Sequence, residues 1–208
     1  MCGIAGILPA DNAGPSEDLR ARLTAMIGAQ RHRGPDDEGV YLLPDERGGL
    51  ANCRLAIRDL STAGHMPMGN RAGTVWITYN GELYNTDELR PELERLGCTF
   101  RSQSDTEMIL CGYEVWGDAV VERLRGIFAF GILDTRPEAG PGRLFLARDR
   151  LGVKPLYYAC SDGEFLFASE LKALHASGMV SREISPEGLV GYLLLGSVPG
   201  PHTIYRDV

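Results

Sequence analysis
Hydrophobic and polar positions alternate in short runs punctuated by glycine, proline, aspartate and asparagine, the pattern of strands joined by turns, with a few stretches at helical spacing between them. The first run, residues 2–8, reads as an apolar strand. Leu19, Leu23, Met26 and Ile27 then share one face of a helix expected to start behind Ser16 and to end at the loop Arg31-His32-Arg33-Gly34-Pro35-Asp36-Asp37. Strands are expected at 39–43, 49–57 and 74–79, and a helix at 88–96 behind Asn85 and Thr86. Ser104-Asp105-Thr106-Glu107 has the form of a capping box, with Ser104 as N-cap, Glu107 at the third helical position and Asp105 in the first turn.

After a further helical stretch at 120–124, four apolar, aromatic-rich strands are expected at 127–133, 143–147, 156–159 and 165–168. Tight polar turns between them imply antiparallel pairing. Helices at 170–176 and behind Ser185-Pro186 close the pattern, Pro186 suiting a first helical position. Strands in two groups, with helices between and after them, predict an α+β layered domain rather than a βαβ wind. Residues 196–201 read as a linker and 204–208 as a strand cut off in mid-element, so the chain is read as a piece of a longer polypeptide.

Composition narrows the picture. With 208 residues, 44% apolar and 24% charged, one compact domain can bury roughly 70% of the surface its unfolded form exposes, without a metal or disulfide framework. A net charge of -7 argues against nucleic acid or an anionic membrane as the main partner. Of the 21 cationic side chains only Lys154 and Lys172 are lysines. Five cysteines at wide spacing, with no C-x-x-C, point to neither a zinc site nor a disulfide scaffold and fit a reducing compartment. The first residues lack a cationic leader, and no stretch approaches the roughly 20 apolar residues of a membrane span, so a cytoplasmic location is expected.

Cys2 is the most informative residue. It reads either as a small buried side chain in the first strand or, if Met1 is removed, as a thiol and an α-amine on one residue, nucleophile and proton acceptor together. Asn80-Gly81 taken alone is a type I′ hairpin signal, yet Glu82-Leu83-Tyr84-Asn85 lead toward a helix; a side-chain amide beside a glycine N–H can also supply two donors to an oxyanion. Arg54 reads as a solvent-facing arginine or as a fork for a carboxylate. Asp105 reads as a helix-dipole partner or as an acceptor for a substrate ammonium.

Together, Met1-Cys2-Gly3-Ile4-Ala5-Gly6, the Arg31–Asp36 loop, Asn80-Gly81-Glu82-Leu83-Tyr84-Asn85, Ser104-Asp105-Thr106-Glu107 and Arg148-Asp149-Arg150-Leu151-Gly152-Val153-Lys154-Pro155-Leu156-Tyr157-Tyr158 resemble the class II glutamine amidotransferases. With Ala168-Ser169-Glu170-Leu171-Lys172-Ala173-Leu174, they most resemble the N-terminal glutaminase domain of glutamine-hydrolysing asparagine synthetase. The resemblance implies an N-terminal-nucleophile hydrolase, an αββα sandwich with two mainly antiparallel sheets between helices. It implies a glutaminase domain at 1–195, then a linker and the start of a C-terminal synthetase domain at 196–208.

By motif match, Cys2 attacks the side-chain amide of L-glutamine and its amine handles the protons, while Asn80 and Gly81 form the oxyanion hole. Arg54, heading Arg54-Leu55-Ala56-Ile57-Arg58, grips the α-carboxylate; Asp105, helped by Glu82, holds the α-ammonium. The glutaminase is expected to need no cofactor or metal, with ATP and magnesium confined to the synthetase domain that amidates aspartate. A homodimer is usual in bacterial members the chain resembles. Competing readings are an amidotransferase with another ammonia acceptor and a catalytically silent binding domain. His32 and His65 are the alternative bases should the amine not serve.

Overall fold
The computed structural model describes residues 1–9, 18–140 and 142–208; the expected cap at Ser16 lies outside them. Strand β1 (Gly3–Pro9) runs between β3 (Gly49–Arg54) and β9 (Glu164–Ala168). With β2 (Asp37–Leu42) and β8 (Tyr157–Ser161) they form a five-stranded antiparallel sheet in the order β2-β3-β1-β9-β8. A second antiparallel sheet is ordered β4-β5-β6-β7, from β4 (Met68–Gly69), β5 (Val75–Leu83), β6 (Gly126–Asp134) and β7 (Arg143–Arg148). The two-residue β4 is too short to leave a period in the sequence.

Alternation along β1 explains how the layers stack. Ala5 and Ile7 pack with Leu19, Leu23, Met26 and Ile27 of α1 (Leu19–Gly28) and with Ala173 and Leu174 of α5 (Leu171–Ala176) on the outer face of the first sheet. Ile4 and Leu8 point the other way, toward Ala129 and Leu133 of the second sheet. Phe167 fills the space between the sheets where Gly6 and Gly131 leave it; a Cβ on Gly6 would lie 2.2 Å from its ring. Truncating such a buried ring to alanine costs about 3–5 kcal/mol. Buried Asn52 adds a polar tie, donating from Nδ2 to Thr78 Oγ1 at 3.1 Å and to the Tyr79 carbonyl at 3.3 Å.

The fourth layer covers the outer face of the second sheet. Leu89 and Leu93 of α2 (Thr86–Arg95) and Met108, Ile109 and Leu110 of α3 (Asp105–Trp116) pack with Ile77 and Tyr79. The short α4 (Val120–Arg123) leads into β6. The result is the expected αββα sandwich.

Three local expectations change. Asn80-Gly81 is no hairpin turn: β5 continues through it, with Asn80 opposite Ala129 and Gly81 opposite Phe128, because β6 supplies a nine-residue ladder to Leu83. Strand β3 stops at Arg54, before Leu55-Ala56-Ile57-Arg58, and the Ala56 N–H donates to Asp36 Oδ2 at 2.8 Å. Ser104 caps α3 by accepting from the Thr106 N–H at 3.2 Å, but Glu107 does not close a box onto it. Its carboxylate takes the N–H groups of Arg101 and Ser102 and the Ser102 hydroxyl, pinning the preceding loop.

At the C-terminal end, Ser185 caps α6 (Pro186–Leu195), accepting from the Gly188 N–H at 3.0 Å. The chain then folds back, the Ser185 N–H meeting the Ile204 carbonyl and the Arg206 N–H the Glu183 carbonyl. The strand expected at 204–208 is a single bridge, Ile184 to Tyr205. Among the described residues no helix is long and apolar enough to cross a membrane.

Candidate active site
Residues from both sheets line one cavity, Cys2, Arg54, Leu55, Ile57, Arg58, Asn80, Gly81, Glu82 and Asp105 among them. Of the residues expected in the site, only Ala56 is not part of this lining.

Cys2 enters from the first sheet. The Leu55 N–H lies 3.4 Å from its Sγ, and the thiol faces the Leu55 carbonyl at 3.8 Å. Its backbone is clamped: Arg33 Nε donates to the Cys2 carbonyl at 3.0 Å, and Arg33 Nη1 donates to Glu170 Oε1 at 3.0 Å. His32 and Lys172 also pair with Glu170. Two residues further on, the Ile4 N–H donates to Ser169 Oγ at 3.1 Å and its carbonyl accepts from Gln30 Nε2 at 3.2 Å. Burial pushes the thiol pKa up; the nearby amino terminus and Arg54 pull the other way, and Asp105 adds to the rise. Met1, 55% exposed, is also part of the cavity wall.

Arg54, 7% exposed, is held by the loop after it: its guanidinium donates to the Ser61 carbonyl at 3.2 Å and to the Asp59 carbonyl. Of the two readings of Arg54, its burial rules out the solvent-facing one. Glu82, near enough to Asp105 to raise its carboxyl, pairs with Arg58, which also donates to Thr86 Oγ1 and to the Leu83 carbonyl, each at 3.1 Å.

The second sheet brings the remaining groups. Asn80 is 1% exposed and its Nδ2 has no hydrogen-bond partner among the described residues, which leaves two buried amide hydrogens in the cavity wall without an acceptor there. Gly81 cannot carry a side chain, since a Cβ would lie 2.6 Å from the Ile127 carbonyl oxygen and 2.7 Å from the Tyr79 hydroxyl. Asp105 Oδ2 accepts from Tyr79 Oη at 2.8 Å and from the Leu83 N–H at 3.1 Å. Burial pushes its carboxyl up despite these bonds and despite Arg58.

Sequence reasoning missed the groups that hold this arrangement. Tyr79 looks like an ordinary strand aromatic, and its role as a donor to Asp105 depends on how α3 docks. Arg33 and Glu170 sit in quoted motifs 137 residues apart, with nothing local to pair them. His32 and His65 are not part of the cavity lining; His65 pairs with Asp37 at 2.8 Å.

In this layered fold a thiol at the first strand, an amide without an acceptor among the described residues and a buried carboxylate thus line one cavity. The whole chain, residues 1–208, matches the family described as the glutamine amidotransferase domain, and it belongs to that family. A putative asparagine synthetase (glutamine-hydrolyzing) 2 of Methanocaldococcus jannaschii is 37% identical over 226 residues, covering all of this chain and 42% of that protein. Asparagine synthetase (glutamine-hydrolyzing) 1 of Bacillus subtilis is 39% identical over 214 residues, covering all of this chain and 32% of its own. The chain thus spans well under half the length of these relatives. A solved glutamine phosphoribosylpyrophosphate amidotransferase from B. subtilis shares the fold, with a TM-score of 0.71 at 21% identity over 89% of this chain and 46% of its own.

Proposed function
We propose that this domain hydrolyses L-glutamine to glutamate and ammonia. The observation that carries the reading is the unpartnered Asn80 Nδ2 in the same cavity wall as the Cys2 thiol. Removal of Met1 frees the Cys2 amine. That amine takes the thiol proton, and sulfur attacks the γ-carbonyl carbon of glutamine. A neutral thiol of raised pKa is a weak nucleophile near neutrality, so the adjacent base is needed. The oxyanion receives hydrogen bonds from Asn80 Nδ2 and the Gly81 N–H, donors that need no reorganisation. Collapse breaks the C–N bond, the protonated amine returns its proton to the departing ammonia, and water cleaves the thioester to release glutamate and restore the thiol. Arg54 holds the α-carboxylate and Asp105 the α-ammonium.

The relatives' names and their greater length support a further step, in which a C-terminal synthetase domain of the full polypeptide uses the ammonia to amidate aspartate. ATP and magnesium belong to that step alone. A cytoplasmic location fits five free thiols, and a homodimer is the assembly to test by sedimentation.

The decisive experiment is ammonia release from L-glutamine by the Met1-free protein and its Cys2→Ala variant. Activity in the first and its loss by at least a thousandfold in the second, with an unchanged melting temperature, is the expected result. Equal rates would remove Cys2 as nucleophile, and no release from either would leave a silent binding domain.

A further inference from the structure
Lys154 belongs to none of the groups used above, yet it lines the same cavity. It is 8% exposed, and its ammonium forms no hydrogen bond or ion pair with any described residue. Lys172, by contrast, is paired with Glu170 at 3.1 Å. An ammonium that lines a cavity with no counterion among the described residues is open to pairing with an anion that enters or forms there.

The loop that delivers Lys154 is pinned on both sides. Asp149 Oδ2 accepts from the Phe128 N–H at 3.2 Å and from the Lys154 N–H at 3.0 Å, while Asp149 Oδ1 accepts from the Val153 N–H at 2.9 Å. Arg148, at the end of β7, donates to the carbonyls of Gly152 and Lys154. Phe128 is the residue opposite Gly81 in the β5–β6 ladder. One carboxylate therefore fixes the Lys154 backbone to the strand beside Gly81, whereas Arg54 is tied to the separate loop at Asp59 and Ser61.

We propose that Lys154 acts directly at the amide end of the substrate, its ammonium opposing the negative charge that appears there during reaction. This rests on the glutaminase reading above. Glutamine brings one permanent carboxylate, which Arg54 serves, and one ammonium, which Asp105 serves. The charge left for a second cation is the one created by chemistry: the oxyanion after sulfur attacks, and then the γ-carboxylate of glutamate. Such a cation is more useful to the transition state than to bound glutamine, whose amide is neutral.

The test compares Lys154→Met, Lys154→Gln and Lys154→Arg in the Met1-free protein, measuring kcat and KM for ammonia release, inhibition by L-glutamate, and melting temperature. The expected result is a fall in kcat of about ten- to a hundredfold in Lys154→Met and Lys154→Gln, with KM for glutamine within about twofold of wild type. Inhibition by glutamate should weaken in both, and Lys154→Arg should keep most of kcat. If Lys154→Met does not fold, the contrast between the glutamine and arginine variants decides. An unchanged kcat in the neutral variants, or a rise in KM alone, overturns the proposal. Wild-type activity that Cys2→Ala abolishes, together with a fully active Lys154→Met, sinks Lys154 and leaves the glutaminase standing; equal release by wild type and Cys2→Ala removes both.

Discussion

The two walls of the cavity are built differently. The wall from the first sheet fixes Cys2 through its backbone, by the Arg33–Glu170 clamp on its carbonyl, and among the described residues its sulfur is hydrogen-bonded to the Leu55 peptide alone. The wall from the second sheet fixes side chains instead: Tyr79 and the Leu83 N–H hold the Asp105 carboxylate, and β5 carries Asn80 with its amide unpaired. A nucleophile must move toward its target and exchange a proton, so it is anchored behind the reacting atom. Groups that recognise charge gain most from being immobile before substrate arrives.

The largest effect expected from this contrast lies on the nucleophile wall. With Met1 attached, the nitrogen of Cys2 is an amide and accepts no proton near neutral pH, and Met1 itself sits in the cavity wall. Loss of general-base help costs on the order of 10² to 10⁴ in rate. A preparation retaining Met1 is expected to be nearly inactive and to gain ammonia release in proportion to the mass lost on treatment with a methionine aminopeptidase. Equal specific activity with and without Met1, measured against intact mass, would defeat the N-terminal mechanism.

A smaller effect should come from the charge-recognising groups. Charge-assisted hydrogen bonds contribute about 1.5–3 kcal/mol, so Arg54→Ala and Asp105→Asn should each lower kcat/KM by about ten- to a hundredfold, mainly through KM. Arg54→Lys should recover little, since an ammonium cannot both reach the carbonyls of Asp59 and Ser61 and present a fork to a carboxylate. Unchanged steady-state kinetics in Arg54→Ala and Asp105→Asn would make them structural charges.

The same contrast explains what could be read from the chain before its structure. Cys2, Arg54, Asn80, Gly81 and Asp105 were legible because each lies in a short run of distinctive residues, and all five meet in one cavity. The layers were legible from two groups of apolar strands with helices between and after them, and from the face shared by Leu19, Leu23, Met26 and Ile27. The misreadings arose where tertiary pairing overrules a local signal. An Asn-Gly pair favours a turn only when no partner strand spans it, and β6 spans it here. Glu107 has the spacing of a capping box, but free N–H groups at Arg101 and Ser102 compete for its oxygens. Tyr79, Glu170 and Lys154 stayed hidden because their roles depend on contacts between distant parts of the chain.

The smallest effect concerns Asp105 and pH, and it isolates the second wall. Its carboxyl faces Tyr79, Glu82 and Arg58; burial and Glu82 raise its pKa, while the Tyr79 hydroxyl and Arg58 lower it. Tyr79 itself, pushed well above the usual phenol range by burial and by Asp105, stays protonated and remains a donor. Only ionised Asp105 attracts the substrate ammonium, so kcat/KM should be complete above the pKa of this carboxyl and fall as pH drops through it. The raised pKa places that acid limb above the ordinary carboxylate range of about 3.9. Tyr79→Phe removes a bond that favours the charged form, which raises the pKa further, so the limb should move to higher pH while the plateau changes only a few-fold. Asp105→Asn should abolish the limb along with most of the affinity. A kcat/KM profile whose acid limb stays at the same pH in Tyr79→Phe and in Asp105→Asn would assign it to another group and break the link between the second wall and recognition of the ammonium.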